Sequence, residues 1–298
     1  MKSRITRRNL MQSFTVLAAG AASGAGSALL NGMPARAQAI AASGKPSPIR
    51  LGLTSYTFRT FSRAQLIAYM QQFNVLFLSC SNVQDHLPTD PTEENQALAD
   101  YASAGITLHA AGAISFATDA EFDVRDKFDY AKRAGINLII ADPTPATLPL
   151  IEKVAREYDI RVAIRNRGPE NPSFSSPFDV LKAIKDRDQH IGVCIDAAAT
   201  ARANANVVEA IHSAGARLFN ILVNDVSSIT GNAKQVAVGR GALPYREIFD
   251  ALIASDYLGF VDLAYDIDAN NPITGVAESF AYMRGVLDGM GYLTRTAS

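Results

Sequence analysis

The polar side chains best suited to chemistry stand at or near the ends of short apolar runs. Arg165-Asn166-Arg167 closes one run, Asp196 closes the next, and His86 and Arg240 lie in polar segments elsewhere. Arginine binds carboxylate or phosphate through two parallel hydrogen bonds, and histidine exchanges a proton near neutral pH. The sequence therefore offers candidates for substrate binding, Arg165, Asn166, Arg167, Asp196 and Arg240, and one candidate general base, His86.

Those residues belong to a regular alternation of predicted strands and helices. The strands are predicted at 49–54, 75–80, 106–110, 138–141, 161–166, 191–196, 218–223 and 260–265, and the helices at 63–73, 93–104, 121–134, 146–158, 177–186, 204–214, 245–254 and 275–287. Eight alternations without a break in composition predict one closed (β/α)8 TIM barrel. In such barrels the chemistry gathers where the strands end.

Composition excludes some classes of partner. The 298 residues are 48% hydrophobic and 19% charged, with a formal net charge of -1. This balance lacks the positive excess that neutralises nucleic-acid phosphates, so no nucleic-acid partner is expected. The two cysteines, Cys80 and Cys194, lie in separate apolar runs and are predicted to be buried free thiols.

The first 37 residues are predicted to be a signal peptide. Arg7 and Arg8 precede apolar residues in the pattern that the twin-arginine export machinery reads, and Ala35-Arg36-Ala37 supplies a peptidase site. Cleavage is expected after Ala37 or Ala39, with a linker at 38–47 and the barrel at 48–298. The glycines of the apolar stretch disfavour the alternative, an uncleaved anchor. The mature protein is thus expected in the periplasm, without a stable membrane span.

Several motifs carry a family resemblance. They are Asp85-His86-Leu87-Pro88 with Pro91-Thr92-Glu93-Glu94, Asn166 with Gly168-Pro169-Glu170, the run from Ile191 to Asp196, Val238-Gly239-Arg240-Gly241 and Tyr282-Met283-Arg284-Gly285. From Leu51 to Leu287 the chain resembles the xylose isomerase-like sugar phosphate isomerases and epimerases. The resemblance implies a xylose isomerase-like barrel, and a divalent metal held by carboxylates and a histidine where strands five to eight end. That metal would polarise a sugar carbonyl or hydroxyl.

The chain departs from the family pattern at most of those ligand positions. Arg165 stands where the family carries a ligand on strand five, and Leu222 and Ala264 stand at the ligand positions of strands seven and eight. Asp196 is the only retained family ligand. Arginine, leucine and alanine provide no metal-binding lone pair, and a catalytic metal needs about three protein ligands. The sequence therefore predicts a barrel without the family's divalent metal, and no other cofactor.

Two accounts of the arginines stay open. In the first, Arg165 fills the vacated metal position and pairs with Asp196, which leaves a stable but catalytically silent barrel. In the second, Arg165, Arg167 and Arg240 bind the anionic group of a sugar acid, which an exported protein meets more often than a sugar phosphate. His86 is either a general base or a residue that caps its own loop. Asp225, just past strand seven, is either a functional residue or a cap of the next segment. His109 is predicted at the end of strand three, and its role is left open between function and structure.

The function follows these alternatives. The chain is expected to act on, or bind, a sugar or sugar acid, either as a metal-independent isomerase or epimerase or as a non-catalytic carbohydrate-binding pseudoenzyme.

Overall fold

The computed structural model describes residues 44–229 and 233–293, which form a closed barrel of eight parallel strands. The barrel strands are β1 (Arg50–Thr54), β2 (Phe77–Cys80), β3 (Thr107–Phe116), β4 (Leu138–Pro143), β5 (Arg161–Arg165), β6 (Ile191–Asp196), β7 (Leu218–Val223) and β8 (Phe260–Leu263). They pair in chain order, and β8 closes the barrel by pairing with β1. The predicted single (β/α)8 barrel is confirmed.

The α-helices of the described residues pack around these strands. They are α1 (Arg63–Gln72), α2 (Pro91–Ser103), α3 (Glu121–Arg133), α4 (Leu148–Tyr158), α5 (Pro177–Ile184), α6 (Ala197–Arg202), α7 (Val207–Ala214), α8 (Tyr245–Ala254) and α9 (Ile273–Gly289). Two 3-10 turns, Ser55–Phe58 and Gly215–Arg217, and four short strands, Lys45–Pro46, Asp225–Val226, Gln235–Val236 and Tyr292–Leu293, complete the elements. Helix α6 was not predicted from the sequence.

Local signals in the sequence account for several helix boundaries. Ser62 and Ser176 each form a capping box at the start of a helix, while Asp90 caps the first backbone N–H groups of α2. Gly105 and Gly135, which follow α2 and α3, adopt φ angles of 71° and 68°. Because glycine has no Cβ, this left-handed backbone is accessible at little cost and the chain turns into the next strand.

Two apolar layers hold the barrel together. Inside it lies a small cluster of mostly aliphatic side chains, Ala110, Leu138, Ile140, Ala163, Cys194, Phe219, Leu222 and Ala264, and a larger core fills the space between strands and helices. Cys80 and Cys194 are both buried and free, as predicted. Each strand is covered by helices on its outer face and by the side chains inside the barrel on its inner face, which explains why these runs are almost continuously apolar.

The loop after β7 is organised by Asp225, which is fully buried. Its carboxylate accepts backbone N–H bonds from Val226, Gly239, Gly241 and Leu243, at 2.8 to 3.1 Å. A Cβ added at Gly241 would lie 2.2 Å from this carboxylate, so glycine permits the close approach. Asp225 therefore ties together a long loop rather than capping a single segment.

The predicted signal peptide and most of the linker, residues 1–43, lie outside the described residues. Within the described part of the chain, no helix combines the length and the apolar character that crossing a bilayer requires.

Candidate functional site

A cavity of about 910 Å³ opens where the barrel strands end. Its lining includes residues from the ends of β1, β2, β4, β5, β6, β7 and β8 and from the loops that follow: Thr54, Ser79, Ser81, Asp142, Arg165, Arg167, Asp196, Leu222, Asn224, Ala264 and Asp266 among others. Small-molecule sites of this fold lie at this face, and the volume is within the range of such sites.

Arg165 is held by Asp142, the next-to-last residue of β4. Arg165 Nε donates to Asp142 Oδ1 over 3.1 Å, and Nη2 donates to Oδ2 over 2.8 Å. Arg167 Nη1 donates to the same Oδ2. Burial opposes the charge of Arg165, but the carboxylate of Asp142 outweighs it and raises the pKa of the guanidinium. Arg165 is therefore a permanent cation in the wall of the cavity.

The predicted pairing of Arg165 with Asp196 is wrong, and the strand register explains why. Ala141 lies beside Ile164 in the β4–β5 pairing, which brings the next residues, Asp142 and Arg165, to the same level. In the β5–β6 pairing Arg165 lies beside Cys194. Asp196 is two residues further along β6, about 6.6 Å higher in the barrel at the usual rise of a strand.

Asp196 instead organises the start of α6. Its Oδ1 accepts the backbone N–H of Ala199 over 3.0 Å and the Nδ2 of Asn224 over 3.1 Å. Asn166 is buried behind it: its Oδ1 accepts the N–H of Asp196 and its Nδ2 donates to Thr200. Asp196 thus lines the cavity in a fixed orientation, whereas Asn166 positions it from behind and does not itself line the cavity.

Asp266 adds a further carboxylate to the same cavity, three residues after β8. Its Oδ1 lies 3.6 Å from Arg59 Nη1, and its backbone N–H donates to Gln235. Partial loss of water around the carboxyl raises its pKa; Arg59 opposes the rise and the charge of Asp196 adds to it. With 44% of the side chain exposed, the group can still exchange protons with a ligand or with solvent.

The residues present do not fit the divalent metal that the resemblance implies. Arg165, Asp196, Leu222 and Ala264 all line this one cavity, so the family's ligand positions do come together in space. Only Asp196 carries a ligand atom, and a permanent guanidinium lies among them. Within residues 44–229 and 233–293, no group of three or more His, Cys, Asp or Glu side chains is arranged to hold a metal ion.

Two other predicted site residues lie away from the cavity. Arg240 is exposed in the loop after β7 and donates twice to Glu278 on α9, at 2.7 Å each, so it does not line the mouth with Arg165. His86 is fully buried, with Nε2 2.9 Å from the carbonyl oxygen of Phe61. Burial lowers the pKa of His86. A buried neutral imidazole away from the cavity is structural, which corrects its predicted role as general base or substrate contact.

His109 is also placed differently from the prediction. It is the third residue of β3 and lies toward the opposite end of the barrel, where Nε2 contacts Asp262 Oδ1 at 2.9 Å. Asp262 Oδ2 accepts a hydrogen bond from Asn220, also at 2.9 Å. The error arose because β3 continues to Phe116, six residues beyond the end that was predicted.

The sequence reasoning missed several lining residues. Asp142 directly follows the predicted fourth strand and Asp266 directly follows the predicted eighth strand, so the position of each was a usable signal. Arg202 and Glu170, joined by an ion pair at 3.2 Å, contribute from α6 and from the loop after β5. Glu170 belongs to the Gly168-Pro169-Glu170 motif of the resemblance, but its pairing with Arg202 is not visible along the chain, because the two residues meet only in the folded barrel.

Comparison with known proteins gives the fold a family context. The sequence profile described as "Xylose isomerase-like TIM barrel" matches residues 146–286. No curated protein matches the sequence significantly.

Solved structures resemble the chain over most of its length. The 3-keto-D-glucoside 4-epimerase of E. coli superposes with a TM-score of 0.65 at 15% identity, covering 80% of this chain and 99% of that one. D-psicose 3-epimerase of Clostridium cellulolyticum H10 gives 0.65 at 16% identity, with 80% and 99% covered. An uncharacterized protein of Parabacteroides distasonis gives 0.61 at 20% identity, with 80% and 99% covered. Strand order, closure and these superpositions agree: the chain has the xylose isomerase-like TIM barrel fold.

Proposed function

We propose that this barrel binds a sugar in the cavity at the strand ends and catalyses its isomerisation or epimerisation without a divalent metal. The observation that carries the proposal is the presence of Arg165, Asp196 and Asp266 in the wall of one cavity. The structural neighbours that are sugar epimerases support the substrate class. We also propose that the protein acts after export, as the sequence of its first 37 residues indicates.

The charges of the cavity favour a neutral sugar over a sugar acid. Among the described residues that line it, three are arginines, Arg165, Arg167 and Arg202, and four are carboxylates, Asp142, Glu170, Asp196 and Asp266. Each of the arginines is already bonded to a carboxylate. The rest of the polar lining consists of hydroxyl and amide side chains, which exchange hydrogen bonds with sugar hydroxyls.

The site has the parts that a proton transfer next to a sugar carbonyl needs. The reaction removes a proton from the carbon beside the carbonyl, and the site holds the resulting enolate oxygen. Epimerisation returns the proton to the opposite face of the same carbon. Isomerisation places it on the former carbonyl carbon, while the proton of the neighbouring hydroxyl moves to the former carbonyl oxygen. Asp266, with its raised pKa, is our candidate for moving the proton. Arg165 bonds Asp142 through Nε and Nη2, so its Nη1 is left to donate to the developing oxygen.

A non-catalytic sugar-binding barrel is the second candidate. The observation in its favour is that Asp142 fixes Arg165 while Asp196 is engaged with Ala199 and Asn224, as in a purely structural network. Both candidates predict sugar binding, and only the first predicts exchange of a carbon-bound proton.

Proton exchange in D₂O separates the two candidates. The full-length chain, treated with a chelator, is incubated with a panel of ketoses, aldoses and the corresponding sugar acids, and deuterium at the carbon beside the carbonyl is followed by NMR. We expect exchange with a neutral sugar, and a loss of at least about tenfold for Asp266→Asn, since general acid–base groups contribute that much or more. The control Asp250→Asn, on the exposed face of α8, keeps the wild-type rate. Binding without any exchange would identify the pseudoenzyme.

A further inference from the structure

The barrel has a second cavity at its opposite end, where the strands begin. It encloses about 510 Å³, and its lining includes Arg50, the first residue of β1, and Arg161, the first residue of β5. His109 of β3, Phe219 of β7 and Phe260 of β8 contribute rings to the wall. The volume is in the range of small-molecule sites, and none of these residues lines the cavity at the strand ends.

The two arginines of this cavity differ from every other arginine in the described part of the chain. Each of the others bonds a carboxylate or a backbone carbonyl. Arg50 and Arg161 have neither an ion pair nor a side-chain hydrogen bond within residues 44–229 and 233–293. An unpaired guanidinium retains all its N–H donors, and here two such guanidinium groups line the same cavity.

Aromatic rings hold both guanidiniums in place. The Cζ of Arg50 lies 4.0 Å from the centre of the Phe260 ring, and that of Arg161 lies 5.1 Å from the centre of the Phe219 ring. Stacking uses the face of a guanidinium and leaves the N–H groups at its edge available. The ordering of two long side chains is thus partly accomplished before any ligand arrives, which lowers the entropy lost on binding.

The charges at the inner wall and at the rim of this cavity differ, and they determine where the anionic group of a ligand is favoured. At its inner wall the His109 ring stacks on Phe260, with the ring centres 3.9 Å apart, and is bonded to the buried carboxyl of Asp262. That carboxyl disfavours an anion deep in the barrel. Asp256, an exposed residue, is the one carboxylate among the described lining residues, against two arginines. An anionic group is therefore favoured at the rim, and an apolar or aromatic group further in.

We propose that this second cavity, where the strands begin, binds a small organic molecule that carries an oxyanion, either carboxylate or phosphate. Arg50 and Arg161 bind the oxyanion through their free N–H edges, and Phe219, Phe260 and the His109 ring contact the rest of the ligand. This site is independent of the sugar site and of any catalysis there.

Calorimetric titration of the full-length chain with benzoate and with phenyl phosphate tests the proposal. The two probes share a ring and differ in their oxyanion, so the one that binds more tightly identifies the ligand chemistry. We expect Arg50→Gln and Arg161→Gln each to weaken binding about tenfold or more, the usual loss for a charge-assisted hydrogen bond in a partly enclosed site. Arg246→Gln, an exposed arginine on α8, is the matched control and keeps wild-type affinity.

Three further variants make the test more specific. Arg50→Lys and Arg161→Lys keep the charge without the planar fork, and are expected to bind more weakly than wild type but better than the glutamine variants. Arg167→Gln alters only the cavity at the strand ends and should leave probe binding at the second cavity unchanged. The proposal is overturned if neither probe binds the wild-type chain, if the Arg50 and Arg161 variants bind as wild type does, or if affinity is lost with Arg167→Gln.

Discussion

The guanidinium of Arg165 and the carboxylate of Asp142 form a two-point ion pair across the ends of β4 and β5, at 3.1 and 2.8 Å. Their side chains are 20% and 19% exposed, between the limits of a surface pair and a fully buried one. Arg167 shares the same carboxylate. One carboxylate thus fixes two arginines in the wall of the proposed sugar site. The effect of substituting Arg165 on stability is therefore expected to depend on Asp142.

Removing Arg165 should destabilise the barrel through Asp142 rather than through Asp196. We expect Arg165→Ala to lower the free energy of unfolding by about 1 to 3 kcal/mol, less than for complete burial because Arg167 remains beside the carboxylate. Asp142→Asn combined with Arg165→Ala should recover part of that loss, whereas Asp196→Asn combined with Arg165→Ala should not. Urea unfolding of the single and double variants measures the difference. Equal recovery by Asp196→Asn would contradict the assignment of the pair.

The raised pKa of Asp266 makes the stability of the protein depend on pH. The folded protein holds the Asp266 proton more tightly than the unfolded chain does, so the contribution of Asp266 to stability falls as pH rises from the unfolded pKa, about 3.9, through the folded pKa, and changes no further above it. Asp266→Asn removes the ionisation and should be more stable than wild type at pH 7, with the gain vanishing below about pH 4. Urea unfolding at both pH values checks this, with Asp250→Asn as the control. A gain that is the same at both pH values would count against it.

Asp225 should be essential to the loop after β7. Asp225→Ala leaves four backbone N–H groups without their acceptor, and we expect a loss of about 3 kcal/mol or more in the free energy of unfolding. Asp225→Asn keeps one acceptor oxygen and should lose less. Thermal and urea unfolding compare the two, and similar losses for both variants would show that the carboxylate is not the organising group.

Restoring ligands should restore metal binding. Arg165→Glu, Leu222→His and Ala264→Glu together place three ligands around Asp196 in the same cavity. We expect the triple variant to bind Mn²⁺ at least about tenfold more tightly than the natural chain in calorimetric titrations. A variant with Arg165→Gln in place of Arg165→Glu keeps the loss of the cation but omits one ligand, and should bind less tightly. If the natural chain binds the metal as well as the triple variant does, the ligand set is not dismantled.

Export should depend on the arginine pair near the start of the chain. Replacing Arg7 and Arg8 with lysine is expected to leave the precursor in the cytoplasm, because the export machinery reads the pair as an address rather than as charge. Cell fractionation followed by immunoblotting measures the distribution. The change Lys2→Arg, outside the motif, is the control, and normal periplasmic accumulation of the double variant would refute the prediction.

The local pattern of the chain was sufficient for the barrel but not for every element boundary. Apolar runs between helical segments predicted all eight strands, because a barrel strand is buried against helices on one face and against the barrel interior on the other. The end of β3 at Phe116 and the short helix α6 were not predicted. Helix α6 begins where Asp196 caps it, and the same aspartate was interpreted as the partner of Arg165.

By itself the sequence determined the fold and which residue types stand at the strand ends, since periodicity and ligand chemistry are properties of the chain. Only the tertiary structure decided which of those residues meet. Strand stagger in the closed barrel brings Asp142, not Asp196, level with Arg165. The path of the loops places Arg240 beside Glu278, away from the cavity, and buries His86. Such pairings depend on register and on the path of loops, and no pattern along the chain encodes the distance between side chains on different strands.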